Sequence, residues 1–298
     1  LAAPLRVLAP LAWLPWAVLP ILLGDRLPCS AVSAAVPLVC VPVAWCLLRA
    51  AETWLAAASD ESPACDRRAA LAILILSTAA YTWMGYRVSV RVGEHVGDEG
   101  HYLAQAQSLY LDGDLDLRND IMERAVVKPP ARGTRAFCHV SAASRGDAWY
   151  SYHPYGLSLI LAPFWGWGMP FRQFLLALIA AAGNDAMFLL SRRAGAGRRS
   201  AALATVALGS SYVWAMYAVR ALPETLGASL LCWAVWAVVA QRDRPWATVW
   251  PGALCCAGMV MAHERFITLS LMAFGFYGLF GLCVPGRWVA KIARLGVF

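Results

Sequence analysis

Apolar residues along this chain gather in blocks of about 17 to 22, the length that crosses a hydrocarbon core as helix, and Arg pairs or Pro/Gly groups separate the blocks. In lipid only a helix or a closed barrel satisfies its own backbone groups. The pattern therefore predicts spans at 5–23, 31–49, 69–88, 173–191, 200–219, 224–240, 246–262 and 266–284. A further apolar piece, 156–170, is shorter, holds Pro163 and ends in Gly166-Trp167-Gly168-Met169-Pro170. That composition suits a re-entrant or juxtamembrane helix. The expected fold class is all-α: a polytopic transmembrane helical bundle of about eight spans plus that extra helix.

Between the third and fourth spans the pattern changes. Residues 98–111 place Tyr102, Leu103, Ala106, Leu109 and Tyr110 at helical spacing, which predicts a helix lying on the membrane. Asp112-Gly113-Asp114 ends it as a turn. Residues 128–148, with Pro129-Pro130, Gly133 and Gly146, read as irregular loop. The chain shows no internal repeat.

Composition removes the soluble alternative. Sixty per cent of residues are hydrophobic and 14% charged, with mean hydropathy +0.56, against roughly 25% charged in ordinary soluble domains. The net charge of +7 does not imply nucleic acid, because the Arg residues sit singly or in pairs at block ends, where they orient spans. The nine Cys lie mostly inside apolar blocks and show no zinc or haem spacing. Basic short loops stay in the cytoplasm. If 156–170 does not cross, the loop Arg192-Arg193 to Arg198-Arg199, the loop with Arg242 and Arg244, and the tail with Arg287, Lys291 and Arg294 share one side with Arg49, Arg67 and Arg68. Residues 89–155 then form a large extracytoplasmic loop. The expected organisation is an N-terminal transmembrane hairpin and cytoplasmic loop (1–68) followed by a transmembrane module (69–298) that carries the large loop. The chain starts at Leu1 and stops at Phe298 soon after a basic stretch, so it is expected to be part of a longer protein, truncated at the C-terminus.

This assignment, made from basic residues, also sorts the acidic ones. Asp98-Glu99, Arg220 with Glu224, and His263-Glu264-Arg265 all emerge at the outer face, and ionisable residues gathered around one cavity at a membrane surface are candidates for function. The competing readings are ordinary: Asp98 as a helix cap, Glu224 as a charge favoured at a helix N-terminus, Glu264 and Arg265 as interfacial partners, His153 as a hydrogen-bonding residue before Pro154. Asn184 and Asp185 fall mid-span, where a helix–helix hydrogen bond competes with a proton path. Asp112, Asp114 and Asp116 suggest a divalent-cation site, either an Asp-X-Asp motif or, with Asp120 and Glu123, a calcium loop. Leu117 stands where such a loop needs Gly, which favours a structural turn.

Gly97-Asp98-Glu99-Gly100-His101-Tyr102-Leu103, Leu111-Asp112-Gly113-Asp114-Leu115-Asp116-Leu117-Arg118-Asn119-Asp120 and His153-Pro154-Tyr155-Gly156-Leu157 resemble motifs of the GT-C membrane glycosyltransferases, in a bacterial branch related to the protein O-mannosyltransferases and the aminoarabinose transferases of lipid A. The resemblance covers 69–265. It implies an integral protein of the bacterial cytoplasmic membrane that transfers a sugar from a polyprenyl-phosphate donor to an extracytoplasmic lipid, glycan or protein acceptor. It implies Asp98 as base, with Glu99 beside it, and Arg220, Arg265 or His153 as holders of the leaving phosphate, for which a guanidinium fork is suited. The family's Lys-Pro element is matched either by Lys128-Pro129-Pro130 or by His153-Pro154. His101, Tyr102, Tyr155, Glu224, His263 and Glu264 complete the expected substrate-binding set. The rival functions are a secondary transporter, which places its charges at mid-membrane, and a non-catalytic membrane scaffold.

Overall fold

The computed structural model describes residues 62–92, 97–122, 140–142, 148–243 and 246–283. Helix α1 (Pro63–Val92) is 30 residues long and opens on Ser62, whose hydroxyl faces the Cys65 N–H at 3.4 Å. Its Ala/Leu/Ile run leaves Leu71, Ile75, Leu76 and Val90 exposed, as a lipid-facing surface would. Next come α2 (Glu99–Leu111), α3 (Arg118–Met122) and a two-stranded antiparallel ribbon, β1 (Val140–Ala142) with β2 (Trp149–Ser151), in which Ser141 lies opposite Tyr150. Helix α4 (Gly156–Leu161) continues as a 3-10 turn over Ala162–Trp167.

Helix α5 (Met169–Arg193) begins at Pro170, after Gly168 at φ 81°, and ends in Arg192 and Arg193, cations suited to a helix C-terminus. Helices α6 (Arg198–Gly209) and α7 (Tyr212–Ala218) meet at a 67° bend, where Ser211 caps α7 by accepting from the Trp214 N–H. Helix α8 (Pro223–Ala240) starts on Pro223, whose missing N–H costs nothing in a first turn. Helix α9 (Val249–Ala262) stops at extended His263, and the single 3-10 turn Glu264–Phe266 leads into α10 (Ile267–Cys283).

Helix α5 is the hub of one half, packed against α1, α6 and α8, and α8 in turn packs on α9 and α10. Small residues allow the close approaches on which membrane helices rely. A Cβ at Gly85 would meet the Gln173 side chain, one at Gly183 would meet Ser229 and Trp214, and one at Gly227 would strike the Phe266 ring. A buried polar knot joins three elements: Asn184 Nδ2 donates to the Tyr81 hydroxyl (2.9 Å) and to Ser77 Oγ (3.2 Å), and Tyr81 donates to the Gly209 carbonyl (2.6 Å). Asn184 is thus a helix–helix hydrogen-bonding residue.

The protein is mostly helical, and its several long apolar helices are compatible with an integral membrane protein. Among the described residues four helices are long and apolar enough to cross a membrane, or five if the bent α6–α7 pair counts as one span. The expected spans 5–23 and 31–49 lie outside the described residues, as do the tail charges Arg287, Lys291 and Arg294. The expected span 246–262 is a 14-residue helix, about 21 Å at 1.5 Å per residue, short of a hydrocarbon core of roughly 30 Å. The 156–170 piece is a short helix and 3-10 turn, as its prolines and glycines imply. One expectation needs amendment: residues 128–148 contain strand β1, so all-α misses a small ribbon. In helix α2, Glu99 through Ala106 are all buried, packed on α4 and the 3-10 turn, while Tyr110 and Leu111 are exposed.

At the end of the bundle remote from α2, Asp66 receives Arg192 (Nε 3.0 Å) and Arg198 (Nε 2.8 Å), tying α1 to the α5–α6 turn. Arg193 pairs with Asp243 in the same region. The three groups at Asp66 are largely buried. Asp66→Ala is expected to cost about 2–3 kcal/mol, because two guanidinium groups lose their counter-charge. A midpoint shift in detergent unfolding is the measurement; an unshifted midpoint would show that the bridge contributes nothing.

Candidate functional site

The opposite end of the bundle collects the charged segments singled out in the sequence. Asp98 stands at the N-cap of α2, yet its carboxylate makes no capping hydrogen bond. It is half-exposed, with Oδ1 3.9 Å from His153 Nε2. Glu99, one residue on, is turned the other way and is 1% exposed. Its Oε2 accepts from Arg220 (3.0 Å) and its Oε1 from the Ala221 N–H (2.8 Å). This buried pair fastens α2 to the joint between α7 and α8.

Adjacent carboxylates thus have opposite environments. Asp98 is half in contact with solvent, while Glu99 neutralises a buried guanidinium. Glu99 and Arg220, both in the expected site, are bonded to each other. The next turn of α2 brings in His101 and Tyr102, whose rings lie 5.3 and 5.0 Å from the ring of His153. The Tyr102 hydroxyl is 3.3 Å from His153 Nδ1. Its phenol is held well above the ordinary value of 10, first by burial and then by the negative charges of Glu224 and Asp98, with Arg265 opposing. Arg265 is 72% exposed and lies 3.7 Å from Glu224 Oε1.

His153 owes its position to buried residues that the sequence reading did not single out. Gln105 Nε2 donates to the His153 carbonyl (2.8 Å), and the His153 N–H donates to Ser151 Oγ (3.1 Å). The Ser158 hydroxyl lies 2.7 Å from Gln105 Oε1 and 2.9 Å from the Tyr102 carbonyl. Gln105 and Ser158 are fully buried. Gln105 was findable: it stands three residues after Tyr102, on the same face of a helix whose neighbours are apolar. Ser158 and Ser151 carry no such signal. Gly156 completes the mount, because a Cβ there would come within 2.4 Å of the Met261 carbonyl oxygen, so the turn after His153 rests directly on the backbone at the end of α9.

The remaining expected residues sort as follows. Tyr155, at the N-cap of α4, is half-buried, and burial pushes its phenol up. His263 Nδ1 accepts from the Arg265 N–H (3.2 Å), and Glu264 is exposed beside it. Lys128 lies outside the described residues. Asp112, Asp114 and Asp116 bond locally. Asp112 accepts from Asn119, Asp114 from Ser108 and the Asp116 N–H, and Asp116 from the Arg118 and Trp149 N–H groups. They tie the end of α2 to β2, and among the described residues no group of three His, Cys, Asp or Glu is placed to hold a metal ion. No protein-family model, curated protein or solved structure matches the chain.

Glu99→Gln leaves the buried Arg220 without its counter-charge and is expected to destabilise the protein by about 3–5 kcal/mol, whereas Glu99→Leu combined with Arg220→Met is expected to be much milder. Chemical unfolding of the three proteins decides it; equal losses would show that packing rather than charge matters there. Tyr102 gives a pH test. In the folded protein its proton is retained at pH values where the unfolded chain has released it, so stability falls as pH rises past about 10. The difference in stability between pH 9 and pH 11 is expected to be smaller in Tyr102→Phe than in the parent.

Proposed function

We propose that the chain is an integral-membrane glycosyltransferase of the GT-C type, taking a sugar from a polyprenyl-phosphate donor to a lipid, glycan or protein acceptor at the extracytoplasmic face of a bacterial cytoplasmic membrane. The observation that carries this reading is the placement of Asp98. It is a half-exposed carboxylate at one end of an apolar helix bundle, it does not cap its own helix, His153 lies 3.9 Å from it, and the Glu224–Arg265 pair stands at the same end.

The reaction is a single displacement. The acceptor hydroxyl oxygen bonds to the anomeric carbon while Asp98 takes its proton, and the anomeric C–O bond breaks with its electron pair passing to the polyprenyl phosphate. Attack from the face opposite the leaving group inverts the anomeric centre. The leaving phosphate needs fixed positive charge near water and lipid. Arg265 suits that task because it is exposed and loosely paired, whereas Arg220 is buried and neutralised by Glu99. Glu99 and Arg220 then act through the position of α2. A secondary transporter is disfavoured because these charges gather at one end of the bundle, not at its middle.

Purified protein incubated with radiolabelled polyprenyl-phosphate sugars and membrane extract is expected to move label into an acceptor fraction. Asp98→Asn is expected to lower the rate by about 10²–10⁴-fold, the usual worth of a general base, with expression unchanged. Arg265→Ala is expected to weaken use of the donor. Unaltered transfer in Asp98→Asn removes Asp98 from the reaction, and no transfer from any donor removes the enzyme reading.

A further inference from the structure

The placement of His153 between Asp98 and Tyr102 carries an inference about how that carboxylate is kept ready, and it rests on the reaction proposed above. His153 has one ring nitrogen toward Asp98 (Nε2 to Oδ1, 3.9 Å) and the other toward the Tyr102 hydroxyl (Nδ1 to O, 3.3 Å). A neutral imidazole carries a single N–H. If that proton were on Nδ1, the Nε2 lone pair would face a carboxylate oxygen, lone pair against negative charge. With the proton on Nε2, the ring's positive N–H edge is the one nearer Asp98, at 3.9 Å and without a hydrogen bond, and Nδ1 is left as an acceptor for the phenol. Tyr102 can supply that hydrogen bond because its environment keeps it protonated.

We infer that His153 is a positioning residue for Asp98, fixed as the Nε2–H tautomer by the Tyr102 hydroxyl, so that Asp98 is presented to the acceptor in one orientation. The main chain on both sides of the imidazole is immobilised as the role requires: the His153 carbonyl is held by Gln105, its N–H by Ser151, and the following turn by Gly156 against α9. The groups that face the pair are Asp98 at the start of α2, His101 and Tyr102 on α2, and, through the phenol, Glu224 on α8 and Arg265 on the 3-10 turn. Protonation of His153 would place N–H on both nitrogens. Tyr102 would then have to turn from donor to acceptor, and the imidazolium would compete with the acceptor hydroxyl for the Asp98 carboxylate. Transfer should therefore fall on the acid side of the profile, and loss of the phenol donor should make His153 easier to protonate.

The test is ¹⁵N NMR of histidine-labelled full-length protein without substrate. The chain has five histidines, so His153→Gln identifies the signal by difference. Nε2–H is expected in the parent, and mixed tautomers in Tyr102→Phe. In the transfer assay Tyr102→Phe is expected to lower kcat about 2- to 10-fold with KM nearly unchanged, the range of one neutral hydrogen bond, and to move the acid limb to higher pH. His153→Gln, which keeps an N–H near the Nε2 position, should retain more activity than His153→Ala. An Nδ1–H tautomer in the parent, or an identical tautomer in Tyr102→Phe, overturns the inference. Because the spectra need no substrate, absence of transfer in the parent counts against the proposed reaction and not against the tautomer.

Discussion

A carboxylate sealed away from water is tolerable only when its charge is answered, and at Glu99 the answer comes from another part of the chain. Arg220 and the Ala221 N–H are more than a hundred residues distant in sequence, yet they occupy both oxygens. Breaking such a pair leaves a bare buried charge, so the start of α2 is held against the α7–α8 joint with little latitude. Everything else at this end inherits that register. Asp98 is outside because Glu99 is inside, and Tyr102 and Gln105 reach the 151–158 turn because α2 is fixed in rotation by its first residue.

Much of the helical layout was legible in the sequence because lipid imposes a crude rule: long apolar blocks flanked by cations become long helices. Residues 69–88, 173–191, 224–240 and 266–284 obeyed it, and the Gly/Pro-rich 156–170 piece departed from it as its composition implied. Residues 200–219 looked continuous because hydropathy is blind to direction, but the Gly209-Ser210-Ser211 sequence offers competing side-chain caps and bends the helix. The ribbon at Val140 and Trp149 was illegible, since three-residue strands have no periodicity to read.

The candidate site was legible as a set and illegible in its pairings. The sequence assembled Asp98, Glu99, Arg220, Glu224 and Arg265 at one end through their adjacency to span ends, and the structure brings them together. Which of two neighbouring acids would be buried depended on the rotation of α2, fixed by a partner far along the chain. Arg220 and Arg265 likewise look alike in sequence, but one is enclosed against Glu99 and the other projects outward. Ser151 and Ser158 escaped notice because a serine in a turn or a short apolar helix is unremarkable until its partner is seen. At Asp112, Asp114 and Asp116 the sequence was more informative: Leu117 in the place of Gly favoured a turn, and each of the three carboxylates accepts from local donors that hold a corner.

The contact between Gly156 and the end of α9 leaves no room for a side chain. Main chain rests on main chain there, with nothing between to swing aside. Even a methyl group at position 156 would have to push the two segments apart, and the turn that carries His153 would move with them.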